Sequence, residues 1–217
     1  MDLISPPILK TGDAVGIVAP ARKVDMGEME PAIRMIESWG LKVILGKNLF
    51  GSYNQFSGTD KERAADFDEM IMNPHVKAII CARGGYGTVR VLDYINLRAL
   101  QRNPKWVVGY SDISVLHGIL NSWFMMETIH GIMPINFPVD GIANPSTESL
   151  RKVLFGENPV YTVPSHPFNR YGSVQGQVCG GNLSIITSVA VLIPIFLPTI
   201  RFCSSRIWMS TCTTLTG

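Results

Sequence analysis

Short apolar runs alternate with amphipathic stretches over the first two thirds of the chain. "DAVGIVAPA" (13–21) is a continuous apolar run closed by Pro20, the pattern of a strand buried on both faces. Met29, Ile33 and Ile36 then recur at helical spacing, and Gly40 follows as a C-terminal cap. "LKVIL" (41–45) predicts a second strand, and "KNLFGSYNQFSG" reads as an aromatic-bearing loop. Thr59 and Glu62 have the spacing of a capping box, opening a helix through Phe67, Met70 and Ile71 that Asn73-Pro74 stops. "VKAIICA" (76–82) predicts a third strand, and Val89, Leu92 and Ile95 a short helix. "KWVVGY" (105–110) predicts a fourth strand, "DISVLHGILN" a helix and "METIHG" a fifth strand.

Continuous apolar strands separated by amphipathic helices define an α/β fold, a parallel sheet flanked by helices on both faces. Sites in such sheets form at the carboxyl ends of the strands. The turns Arg83-Gly84-Gly85-Tyr86-Gly87 and Gly109-Tyr110-Ser111-Asp112 both fall there. Residues 1–140 are read as this N-terminal domain. The Pro- and Asn-rich segment 141–170, with one helix near "STESLRKVLFG", is read as a linker. Residues 171–188 open a second unit with a strand, a Gly-Gly turn and a helix, and 189–217 form a tail of different character.

Composition narrows the function classes. The 217 residues are 46% hydrophobic and 17% charged, which suits a packed core, and a net charge of +2 argues against nucleic acid as the main partner. The most apolar window, "SVAVLIPIFLPTI", has 13 residues and two prolines, too short for a membrane span. The N-terminal "MDLISPPILKTGD" has no secretory pattern, so the expected compartment is the cytoplasm. Cys81, Cys179, Cys203 and Cys212 have no metal-ligand spacing, so neither metal nor cofactor is expected.

Two local motifs bear chemistry. A strand, a Gly-x-Ser turn and a helix place a serine hydroxyl on a sharp bend, beside a helix N-terminus that can stabilise an oxyanion. Ile113 stands where the α/β-hydrolase motif has its last glycine, so Ser111 reads equally as a helix N-cap followed by a favourable Asp112. "ARGGYG" offers backbone N–H groups to a ligand, or is an ordinary β–α turn; it lacks the Lys-Ser/Thr of a P-loop. His117 lies six residues beyond Ser111 on a helix and is expected to point elsewhere. His130 ends a strand, where it lines a site or simply finishes the strand.

Taken together, "GTDKERAADFDEM", "VKAIICARGGYGTVRVLDYI", "NPKWVVGYSDISVLHGIL", "TIHGIMP" and "GQVCGGNLSIITS" resemble the LD-carboxypeptidases. This serine peptidase family includes muramoyltetrapeptide carboxypeptidase and the microcin immunity peptidases. The likeness runs from about residue 12 to residue 188, and the ordered set "RGGYG", "GYSD" and "GGNLS" is its specific part. The resemblance implies a nucleophile at Ser111, and oxyanion donors at the backbone N–H of Asp112 and of a glycine in the RGGYG turn, Gly85 first, with Gly84 beside it among the substrate-binding residues. His130, by its strand-end position, is the candidate site-lining residue beside them. The resemblance also implies a smaller C-terminal domain supplying a glutamate and a histidine to complete a Ser-His-Glu triad, a murein tetrapeptide as substrate, and dimers of full-length members. A silent ligand-binding module and a Rossmann-like nucleotide binder are the competing readings. One departure is local: "PARKV" follows the first strand where the family usually has small polar residues.

The tail departs further. Residues 189–217 contain no Asp, Glu, Lys or His. With permitted codon choices, "FCSSRIWMSTCTTLTG" read with each codon begun one base earlier gives "LFIEDMDEYLYHLDR", which resembles the family's glutamate segment. The expectation is a frameshift near residue 188, with the glutamate encoded across the codons of Ser205 and Arg206, and a chain whose triad partners are missing.

Overall fold

The computed structural model describes residues 3–162, 164–169, 172, 176, 178–189 and 202–204. Five strands form one all-parallel sheet: β1 (Ala14–Val18), β2 (Lys42–Leu45), β3 (Val76–Cys81), β4 (Trp106–Gly109) and β5 (Ile129–His130), in the order β2-β1-β3-β4-β5. The helices are α1 (Met26–Ser38), α2 (Asp60–Met72), α3 (Thr88–Val91), α4 (Ala99–Arg102), α5 (Ser114–Trp123), α6 (Pro145–Leu154) and α7 (Leu183–Val189). Two short strands, β6 (Val178–Gly180) and β7 (Phe202–Ser204), pair in parallel as a separate sheet. The α/β reading therefore holds.

The continuous apolar runs are explained by burial on both faces. Successive strand residues feed opposite cores, as the two-residue period of a strand requires. Val15, Ile17, Ala78, Ile80, Trp106 and Val108 pack with α1 and α6 through Met29, Ile36, Leu150 and Leu154. Val18, Ile79, Cys81 and Val107 pack with α2 and α5 through Phe67, Met70, Leu116 and Leu120 on the other face. Helix α6 lies inside the span read as a linker, and it buries Leu150, Val153 and Leu154.

Local sequence sets the helix ends. Thr59 and Glu62 form the expected capping box of α2, and Asn73 ends that helix in an extended conformation. Asp25 and Glu28 make a second capping box for α1, and Gly40, one residue past its C-cap, takes φ +82 as the reversal requires. Two elements are shorter than the sequence pattern suggests. The helix through Val89, Leu92 and Ile95 stops at Val91, and the chain turns where Asn96 N–H donates to Asp68 (2.8 Å). The "METIHG" strand pairs with β4 only at Ile129 and His130, because Met125 has φ +49 and Met126 bridges instead to Ile4 at the sheet edge.

Beyond the main sheet, the Gly180-Gly181-Asn182 turn docks on α5, where Asn182 N–H donates to Ser114 Oγ (2.9 Å). A side chain at Gly181, which has φ +155, would meet that same hydroxyl at 2.5 Å. Apart from the backbone of 202–204, the end of α7 and the residues above, the tail and the frameshift reading lie outside the described residues.

Candidate active site

The loops after β3, β4 and β5 meet at the carboxyl edge of the sheet. Ser111 does not cap the following helix. Tyr110 holds the cap position of a short 3-10 turn (Ser111–Ile113) that runs into α5, and Ser111 itself takes φ +60. That left-handed backbone is uncommon for a serine and costs on the order of 1–3 kcal/mol. It lifts residue 111 out of the strand direction directly after β4. Gly109 is required beneath it, because a Cβ there would strike Ile113 at 2.8–3.0 Å. Ser111 is half-buried, and its hydroxyl has no hydrogen bond to a described residue.

The glycine turn stands against this bend. A Cβ on buried Gly84 would lie 3.3 Å from Ser111 Cβ and 3.4 Å from the backbone N of Asp112. Standard bond lengths then bound the Ser111–Gly85 Cα separation below about 10 Å. Gly85 is exposed and has φ +113, whereas Gly84 is buried. The Asp112 carboxylate is buried and accepts from Thr88 N–H (2.8 Å), tying the glycine turn to the serine bend across 24 residues. The site thus brings a bent serine against a glycine turn, with a buried clamp that fixes their spacing.

Arg63, 1% exposed, holds the same loops from below. Its guanidinium donates to the carbonyls of Pro20 after β1, Gly58 before α2 and Gly87 after β3, and pairs with Asp60. Burial pulls its pKa down and Asp60 pulls it back up. The charge pattern of α2 gave no sign of this role, because a lone arginine on a helix reads as solvated. Thr88 and Ser114 were equally silent, since their partners are distant in sequence.

The structure sets His130 beside Gly109 in the β4–β5 register, one strand over from the serine bend. Its ring meets the rings of Tyr110 (6.3 Å) and His117 (5.8 Å) edge-on, and it borders a cavity of about 230 Å³ shared with Ser146, Ser149 and Tyr161. His117 is buried, and its Nε2 lies 2.8 Å from the carbonyl of Gly109. A carbonyl only accepts, so Nε2 carries the proton and Nδ1 is left without a partner among the described residues. Burial, reinforced by His130, drops the His117 pKa to about 3. His117 is therefore a neutral strut under β4, as its helical position suggested. The Cys81 thiol, pushed up by burial and by Asp112, is inert.

The His117 shift has a pH consequence. The folded state resists protonation down to about pH 3, while the unfolded chain protonates near 6.5. Between these values the unfolded state binds more protons, so stability is lost as pH falls, by at most about 1.4 kcal/mol per unit. His117→Gln, which keeps a donor for Gly109, is expected to flatten this acid limb in urea titrations at pH 4 to 7.

The fold defines a doubly wound α/β protein whose loops gather a bent serine and a glycine turn at one sheet edge. A family model for the LD-carboxypeptidase N-terminal domain matches residues 15–131, and the chain belongs to this family. It is 37% identical over 187 residues to the probable murein peptide carboxypeptidase of Bacillus subtilis (strain 168), covering 84% of this chain and 58% of that protein. The solved structure of MccF in complex with glutamyl sulfamoyl guanosine superimposes with a TM-score of 0.73 at 26% identity, covering 86% of this chain and 65% of that one. Muramoyltetrapeptide carboxypeptidase from Oxalobacter formigenes superimposes with a TM-score of 0.69, also at 26% identity, over 82% and 60% of the two chains. The chain thus spans about three fifths of the length of the relatives it matches.

Proposed function

We propose that this chain carries the nucleophile half of a serine-type LD-carboxypeptidase that removes the terminal D-alanine of murein tetrapeptide in cytoplasmic cell-wall recycling. The observation that carries the reading is the backbone of Ser111: φ +60 at the end of β4, with Gly84 against its Cβ. Strain of this kind is retained where a surrounding structure holds it for a purpose. The names of the relatives support the substrate class.

In this reading Ser111 Oγ attacks the carbonyl carbon of the amide between the L- and D-residues, and a base takes the hydroxyl proton. The oxyanion accepts from the N–H groups of Asp112 and Gly85. Its collapse breaks the C–N bond, the base returns the proton to the departing amine, and D-alanine leaves. Water then resolves the acyl-enzyme by the same route.

The base and its orienting acid are the missing parts. Of the four histidines, His75 precedes β3 at the opposite sheet edge, His117 is held by Gly109, and His166 is exposed beside Phe168. His130 packs among aromatic rings as a wall residue. In the family the base and acid come from the C-terminal domain, and residues 189–217 contain neither Glu nor His. Among the described residues, no helix is long and apolar enough to cross a membrane.

The purified 217-residue chain is accordingly expected to release no D-alanine from murein tetrapeptide above background, read by chromatography of the free amino acid. Robust release that disappears in Ser111→Ala would overturn the claim that the base is missing.

A further inference from the structure

Arg22, in the PARKV stretch after β1, stands over the glycine turn. Its backbone is pinned: Arg22 bridges Phe56, and Lys23 N–H donates to the Gln55 carbonyl (3.1 Å). Its stem lies across Gly85, where a Cβ would come within 2.7 Å of Arg22 Cδ and 2.9 Å of Nε. A side chain at position 85 would therefore displace Arg22 as well as strain the backbone.

The charges around it are matched, and Arg22 is not. Arg83 reaches Glu28 at 3.6 Å, Lys23 Nζ donates to Ser52 (3.2 Å), and Arg63 and Arg90 share Asp60. The exposed guanidinium of Arg22 has neither a hydrogen bond nor an acid partner among the described residues. An unpaired cation beside an oxyanion donor fits a ligand with an anion close to its reacting carbonyl.

We propose that Arg22 binds the terminal carboxylate of the substrate and makes this site select acids over amides at the leaving residue. The inference rests on the carboxypeptidase reading above. In such a substrate the free carboxylate lies one residue beyond the scissile carbonyl, within roughly 4 Å of it. A carbonyl oxygen held by Gly85 N–H therefore brings the carboxylate within reach of a guanidinium whose stem covers Gly85. Arginine suits the task, because its planar fork donates two parallel hydrogen bonds to a carboxylate. The cation also neutralises a charge that would otherwise repel the developing oxyanion.

The test uses the 217-residue chain with Ser111→Ala, which excludes turnover, titrated by NMR with murein tetrapeptide and with its C-terminal carboxamide. The acid is expected to bind about tenfold more tightly than the amide. Arg22→Ala should weaken the acid about tenfold and leave the amide within twofold, and Arg22→Lys should retain part of the preference. The inference is overturned by equal binding of acid and amide, by a preference that survives Arg22→Ala, or by no binding of the tetrapeptide. The carboxypeptidase reading is judged separately, by D-alanine release from a chain with its C-terminal domain restored.

Discussion

Arg63→Met is expected to destabilise the protein by about 3–5 kcal/mol, at about 1–3 kcal/mol for each buried acceptor left unmet. Methionine keeps most of the stem volume but removes every donor. The carbonyls of Pro20, Gly58 and Gly87 lose a shared partner, and buried acceptors left unmet carry their full desolvation cost. The guanidinium also lies 4.7 Å from the Phe56 ring centroid, a cation–π contact that methionine lacks. Asp60 keeps Arg90, so the loss falls on the three loops rather than on that carboxylate. Urea unfolding measures the loss. A change below 1 kcal/mol would mean that these loops are held by other contacts.

Restoring the C-terminal domain is expected to raise D-alanine release by at least about a thousandfold over the 217-residue chain. The chimera joins Ser188 to the corresponding remainder of the Bacillus subtilis relative. A serine hydroxyl without a base is a weak nucleophile, and an oxyanion hole alone gives only residual catalysis. The base removes the hydroxyl proton and returns it to the leaving amine, so both halves of the reaction gain. The docking of Asn182 on Ser114 gives the join a fixed footing three residues beyond Ser111. A folded chimera no faster than the 217-residue chain would show that the missing groups are not what limits it.

The fold was legible because both faces of the sheet are covered. Val15 to Val18 and Ile79 to Cys81 need to be apolar throughout, and such runs stand out from amphipathic helices. The Thr59–Glu62 box was equally plain, since it depends on two residues at fixed spacing. The Asp25–Glu28 box carried the same signal and could have been read. The short β5 was not legible, because Met125 and Met126 are apolar for reasons of edge packing rather than sheet pairing. At the site, local sequence left Ser111 open between cap and nucleophile, and the structure shows that Tyr110, not Ser111, holds the cap position. The clamps are contacts of long range: Asp112 to Thr88 and Arg63 to Pro20 span 24 and 43 residues, and no local pattern encodes them. The PARKV stretch was visible as a departure, but the position of Arg22 over Gly85 needed the fold.

The central claim is that Ser111 is the nucleophile of this site. The most direct test is D-alanine release by the restored chimera with serine or alanine at position 111, with circular dichroism to verify that both fold. Ser111→Ala is predicted to lower release at least about ten-thousandfold. A folded Ser111→Ala chimera that retains the activity of its parent would contradict the account.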